Sequence, residues 1–216
     1  MSFTPNKTHL ASISKYQRKA KIYDTTIDGT NSIRSQTIAL LQLQAGASVL
    51  DVGCGSAVSI PALREGVGNS GCVYGFDQSP EMLAIASRKA TQMQWTNVSL
   101  QHGFAEAVRF ERPLDAILFH YTHDILQSQA AIDNILSQAK PGARVAIAGM
   151  KNFPWWTGPL MILSFCKNFA WNGNPSGLTK PWRLIRPQLD DFQIRSTQWG
   201  MGYIASGTIK RSVRNA

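Results

Sequence analysis

Cysteine, histidine and acidic residues are all scarce in this chain of 216 residues, and each shortage removes a class of explanation. Three cysteines, Cys54, Cys72 and Cys166, lie far apart with no C-x-x-C spacing. An odd, scattered set argues for reduced thiols rather than a disulfide framework. Of four histidines, His120 and His123 stand in an H-x-x-H-D spacing that could suggest a metal, but a site needs three or four convergent ligands and His9 and His102 sit in no recognisable ligand motif, so no metal is expected. No apolar run approaches the ~20 residues that a membrane-spanning helix requires, and the start of the chain is polar, without the apolar core of a secretory signal. Repeats and low-complexity blocks are missing too. These absences predict a single soluble, cytoplasmic domain, long enough to bury roughly 70% of its unfolded surface.

Acids are outnumbered: 13 against 22 lysines and arginines, a formal charge of +9. The basic residues crowd the two ends, from Lys7 through Arg18 to Arg34 and from Lys167 through Arg183 to Arg214. Brought together, the ends would form one basic face, attracting nucleic acid, anionic lipid or an anionic substrate; otherwise they form a solvated surface.

What is present is a regular alternation. Helical patterns over residues 8–22, 31–43, 57–66, 80–92 and 123–139 interleave with apolar strand patterns over 47–52, 72–77, 97–102, 114–121 and 143–150. Repeated βα units imply a parallel sheet covered on both faces. Residues 192–199 and 202–209 then read as a hairpin around Gly200-Met201-Gly202. The expected fold is α/β: a doubly wound, Rossmann-like, seven-stranded sheet, mostly parallel, with a C-terminal antiparallel hairpin. Its ligand crevice belongs at the carboxyl ends of strands one, two and four.

Val49-Leu50-Asp51-Val52-Gly53-Cys54-Gly55-Ser56-Ala57 runs an apolar strand through an acid into a glycine turn. Glycines there let a ligand approach the backbone, and the following helix offers N–H groups at its start. A second strand closes on Asp77, 22 residues after Gly55, where a carboxylate can accept two ribose hydroxyls. Val58 occupies the position a dinucleotide fingerprint reserves for its third glycine, which disfavours a dehydrogenase. Cys54 reads as a space-filler in the turn.

The pattern resembles the first motif of class I S-adenosylmethionine-dependent methyltransferases, and Gly75-Phe76-Asp77-Gln78-Ser79-Pro80-Glu81-Met82-Leu83 resembles that family's second-strand signature. Tyr16 to Asp24 looks like the N-terminal Y-x-x-x-A-x-x-Y-D segment of its small-molecule, quinone-type or phospholipid-type branch. Gly103-Phe104-Ala105-Glu106-Ala107 is similar to the G-D-A-E-x loop, and Lys140 to Val145 to the K-P-G-G-x-x approach to strand five. The resemblance implies S-adenosylmethionine as cofactor and S-adenosylhomocysteine as product. It also implies binding by Tyr16, Tyr23, Asp51, Gly53, Cys54, Gly55, Asp77, Gln78, Met82, Gly103, Phe104, Ala105 and the His120 backbone. Asp77 would hold the ribose and Met82 would pack on adenine. Ala57 departs from the usual glycine, and Phe104 replaces the aspartate that often bonds the adenine amine.

Candidates for the chemistry sit at the end of strand four in His120-Tyr121-Thr122-His123-Asp124. His120 and His123 are titratable near neutral pH, and Tyr121 would position the acceptor. Residues 151–190 interrupt the rhythm with an aromatic stretch. Trp155, Trp156, Phe165 and Trp171 there would form a lid or wall for a small or lipid-like acceptor, and residues 1–45 a helical cap. Peripheral membrane contact is a further expectation of this stretch. With no N-P-P-Y motif and no basic stretch interleaved with stacking aromatics, nucleic acid is disfavoured as partner. An RNA or protein methyltransferase, or a non-catalytic cofactor-binding subunit, are the alternatives, and the oligomeric state is left open.

Overall fold

A computed structural model describes residues 30–153, 157–158 and 175–211. Tyr16, Tyr23, Trp155, Trp156, Phe165 and Trp171, with most of the expected cap and lid, lie outside these residues.

Seven strands form one sheet: β1 (Ser48–Val52), β2 (Cys72–Asp77), β3 (Val98–His102), β4 (Leu114–His120), β5 (Ala139–Met150), β6 (Leu189–Thr197) and β7 (Gly202–Ile209). Their order is β3-β2-β1-β4-β5-β7-β6. β1 to β5 pair in parallel, while β7 runs antiparallel to both β5 and β6. The order reverses between β1 and β4, which opens the crevice beyond their carboxyl ends.

Helices α1 (Asn31–Ala39), α2 (Ile60–Val67), α3 (Pro80–Gln92) and α4 (Gln129–Leu136) cover the sheet. All five residues of β1 are buried, as a central parallel strand requires. Val49, Val73, Leu118 and Ala146 face α2 and α3 through Ile60, Leu63, Val67 and Ala86. Leu50, Val52, Ile117, Phe119 and Ile147 face the other way, onto Ile132 and Ile135 of α4. α3 starts where Ser79 caps it by accepting the Met82 N–H (3.3 Å), with Pro80 at its first position.

Three expectations are corrected. The helix over 123–139 is interrupted: a 3₁₀ turn (Ile125–Gln127) precedes α4, because Ser128 turns extended and caps the new helix by accepting the Ala131 N–H. β5 begins at Ala139 rather than 143, pairing with Leu114 before a register shift carries the chain past Gly142, whose φ is +80°. β6 ends at Thr197, since Gln198 and Trp199 take left-handed φ values and turn the chain into β7.

Candidate active site

The glycine turn is tied to the second strand by one carboxylate. Asp77 Oδ2 accepts the Gly55 N–H (2.9 Å) and Oδ1 accepts the Ser79 N–H (2.8 Å). The Cys54 N–H donates to the Phe76 carbonyl (2.9 Å), fixing the turn to β2 by its backbone as well. Gly53 and Gly55 have φ of +60° and +53°, where L side chains are strained. Ala57, the departure from glycine, also sits at positive φ (66°) and is buried, so its methyl is accommodated at a conformational cost. Among the described residues a Cβ on Gly55 would meet only Met82 Cε, at 3.6 Å. With Met82 alongside, the turn is a cradle suited to a ligand lying flat on the backbone. Gly103 extends the rim, its N–H donating to the Asp77 carbonyl (3.1 Å), with half-buried Phe104 and buried Ala105 following. Beside it, the His102 ring donates through Nε2 to the Gln78 carbonyl (3.3 Å).

Charges here are unusual. Burial raises Asp77, against the two N–H bonds that lower it. Asp51, buried beneath the turn, is pushed up to about 7, chiefly by burial, with Arg34 pulling down and Asp77 pushing up. The Cys54 thiol rises well above its ordinary value through burial and the neighbouring carboxylates, which suits a space-filler and not a nucleophile. Arg34 corrects the reading of the basic ends: instead of joining a surface face it is buried on α1, close enough to act on Asp51 and His120. It is the sole charge within residues 31–43, and that was the available sign of an interior role.

The end of β4 folds against the same turn. A Cβ on Gly53 would come within 2.9 Å of Thr122 Cγ2. Tyr121 takes φ +60° and donates its N–H to the Ala148 carbonyl (2.8 Å). Its ring meets those of His120 and His123 edge-on at 4.9 and 6.0 Å. His123 Nε2 accepts the Met150 N–H (3.3 Å), which places the ring proton on Nδ1. Gly149 makes room for that imidazole, for a Cβ there would lie 2.6 Å from His123 Cε1. Buried Tyr203 closes the group from β7, its hydroxyl raised far above its ordinary value by burial. Gly149 and Tyr203 carried no motif in the sequence; only the β5–β7 pairing brings them here.

Within this group His120 Nε2, Thr122 Oγ1, His123 Nδ1 and Tyr203 Oη are buried without a hydrogen-bond partner among the described residues. Such atoms are few in a native protein, and four gathered at the carboxyl end of the sheet make this group the candidate place for a ligand. Together with the Asp77 cradle, they fit a nucleoside-bearing cofactor on the β1–β2 side and an acceptor against β4.

Burial lowers His120 to about 3 and His123 to about 4. Both imidazoles are thus neutral in the fold at neutral pH. Unfolded they would bind protons below their ordinary value of 6.5, so they stabilise the fold above that pH and the contribution is lost on acidification. Asp51 works oppositely, holding a proton in the fold up to about 7 that the unfolded chain has released. The two imidazoles outweigh it, so urea melts should show stability falling as pH drops from about 6 to 5. Asp51→Asn removes the opposing group and should steepen that fall by about 1.4 kcal/mol per pH unit. An unchanged slope would refute the buried, protonated Asp51.

The family model described as a methyltransferase domain matches residues 43–180, which carry β1 to β5 and both walls of the crevice. The chain belongs to that family. A demethylmenaquinone methyltransferase of Shouchella clausii is 35% identical over 120 residues, covering 53% of this chain and 49% of that protein. Another from a Geobacillus species is 33% identical over 114 residues, covering 52% and 49%. The chain thus spans about half the length of the curated relatives it matches. A methyltransferase-family fold is found again in the SAM-dependent methyltransferase of Aquifex aeolicus: TM-score 0.63, 20% identity, 88% of this chain and 98% of that one. The N-methyltransferase NodS of Bradyrhizobium japonicum, solved with S-adenosyl-L-homocysteine, aligns with TM-score 0.66 and 15% identity over 92% and 98% of the chains.

Proposed function

We propose that this methyltransferase-family protein transfers a methyl group from S-adenosylmethionine to a largely apolar, lipid-like acceptor of the quinone type. The reading rests on one observation above all: the Asp77-anchored glycine turn and the unpartnered polar atoms of His120, Thr122, His123 and Tyr203 meet at one crevice. The relatives named for demethylmenaquinone support the acceptor class. The chain on either side of the aromatic stretch is pinned at this edge, by Lys151 N–H to the Met201 carbonyl (2.8 Å) and Asn152 N–H to the Leu178 carbonyl (2.9 Å). That placement supports Trp155, Trp156, Phe165 and Trp171 as an acceptor wall, with residues 1–45, including Tyr16 and Tyr23, as a cap.

When bound, S-adenosylmethionine supplies an electrophilic methyl group on a sulfonium. The protein's work is then alignment and exclusion of water. Asp77 receives the ribose hydroxyls on the lone pairs its two backbone N–H bonds leave over. Gly53, Cys54 and Gly55 hold the backbone close, Met82 flanks the base, and Gln78, Gly103, Phe104 and Ala105 close the adenine side. Asp51 and Arg34 set the charge beneath the turn. Among the β4 candidates, His120 faces the acceptor: its Nε2 is available as acceptor of a hydroxyl proton, whereas His123 Nε2 is engaged by Met150. Tyr121 and His123 position it.

His120→Ala should therefore lower turnover about 100-fold or more while the affinity for S-adenosylhomocysteine stays within a few-fold. His123→Ala should act on stability as well, since it leaves the Met150 N–H unpaired at a cost of about 1–3 kcal/mol. Incubation with methyl-labelled cofactor and fractionated lysate tests the acceptor. Label in apolar quinone-type lipid is the expected result; label confined to RNA or protein, or no transfer at all, overturns the reading.

A further inference from the structure

The turn joining β6 and β7 presents an indole to solvent at the mouth of the crevice. Trp199 is 96% exposed, and among the described residues the other large exposed hydrophobics are Met93 and Ile194. Three consecutive residues, Gln198, Trp199 and Gly200, take φ of +50°, +57° and +96°. The first two are positions glycine would occupy more easily, so a tryptophan is displayed there against backbone preference. The turn is supported from below: a Cβ on Gly200 would meet Phe153 Cε1 at 2.8 Å. Its place is set by register. Gly202 pairs with Met150, the residue whose N–H His123 accepts, so the tip stands beside the β4 group.

Charge along the hairpin is polarised. Its two acids, Asp190 and Asp191, lie at the far end, where Asp190 pairs with Thr208, about 23 Å from Thr197 at ~3.3 Å per residue. At the tip end Lys151 bonds Ser196 Oγ through Nζ (2.8 Å), and exposed Lys180 follows Leu178, which is bonded to Asn152. We propose that this tip is a membrane-docking element. The Trp199 indole enters the headgroup layer of an anionic bilayer, Lys151 and Lys180 meet the lipid phosphates, and the crevice mouth is held against the surface. An indole is suited to that layer, with an apolar body and a polar edge, and the lysines add electrostatic attraction. Among the described residues Trp199 makes no ring–ring contact, and a single exposed indole beside two lysines suits a headgroup layer better than a stacking track for nucleic acid. The inference rests on the lipid-like acceptor proposed above and names how the enzyme would reach it.

Cosedimentation of the full chain with vesicles of phosphatidylcholine containing about 30% phosphatidylglycerol tests it, against phosphatidylcholine alone. The wild type should bind the anionic vesicles, less at high salt. Trp199→Ala and Lys151→Glu should each weaken binding about tenfold, with S-adenosylhomocysteine affinity unchanged. Trp199→Gly suits the left-handed backbone and so removes the indole without threatening the fold; it should lose binding equally. Wild-type failure to bind vesicles, or Trp199→Gly binding as well as wild type, overturns the proposal. So does an effect of Trp199→Gly only on RNA binding or on self-association. Methyl transfer to a detergent-dispersed quinone-type acceptor separates the two claims: transfer without Trp199-dependent docking removes this inference alone. Docking without transfer removes the acceptor assignment and leaves the membrane tip.

Discussion

Asp77→Ala is expected to reduce the affinity for S-adenosylhomocysteine by about 100-fold or more in the protein that still folds. The carboxylate does two things at once. It holds the glycine turn through the Gly55 and Ser79 N–H groups at 2.9 and 2.8 Å, and in the proposed binding mode its remaining lone pairs accept the ribose hydroxyls. Truncation removes the ribose partners and loosens the backbone that the ligand rests on. Hydrogen bonds to a charged acceptor contribute about 1.5–3 kcal/mol each, so losing two of them accounts for that factor. Folding suffers as well, because the Gly55 and Ser79 N–H groups lose their acceptor, although the burial that raises Asp77 already penalises its charge and offsets part of that loss. Asp77→Asn retains the shape and one oxygen and should fall between the two. Calorimetric titration decides the matter, and unchanged affinity in Asp77→Ala would remove the main support for the cofactor site.

The two turn glycines should separate stability from binding. Gly53→Ala must place a methyl at φ +60° and 2.9 Å from Thr122 Cγ2, with Ile125 Cδ1 at 3.6 Å. Left-handed strain and overpacking together should cost about 2–4 kcal/mol. Gly55→Ala has similar strain at φ +53°, but among the described residues its methyl meets only Met82 Cε, at ordinary contact distance. It should lose about 1–2 kcal/mol of stability, while filling the space the ligand needs and abolishing binding. Urea melts beside titration of S-adenosylhomocysteine read both quantities. Normal binding by Gly55→Ala would mean that the turn does not face the ligand.

Among the described residues no helix is long and apolar enough to cross a membrane. Nothing in the order of residues 192–202 distinguishes Trp199 from the tryptophans of 153–171 as an exposed group. In the fold Trp199 is 96% exposed, whereas Trp182 packs on Tyr203 at 4.9 Å.

The parallel sheet, the glycine turn and Asp77 were legible in the linear chain because each depends on local chemistry. A strand buried on both faces must be apolar throughout, a backbone at positive φ calls for glycine, and an acid closing a strand after a fixed interval reaches the same crevice. The helix over 123–139 was misjudged for the same reason: a single serine that caps from an extended backbone outweighs a continuous helical pattern. What no local pattern carries is the meeting of distant residues and the water it excludes. Arg34 looks like one more surface cation until α1 packs over β4 and β5. His120 and His123 look titratable near neutrality until burial strips them of solvent and lowers them to about 3 and 4. Gly149 and Tyr203 become part of the site only because β7 returns antiparallel beside β5. Sequence determined the fold's repeat and the glycine turn, which are written in neighbouring residues; tertiary structure decided charge state, burial and company, which depend on desolvation by segments far away along the chain.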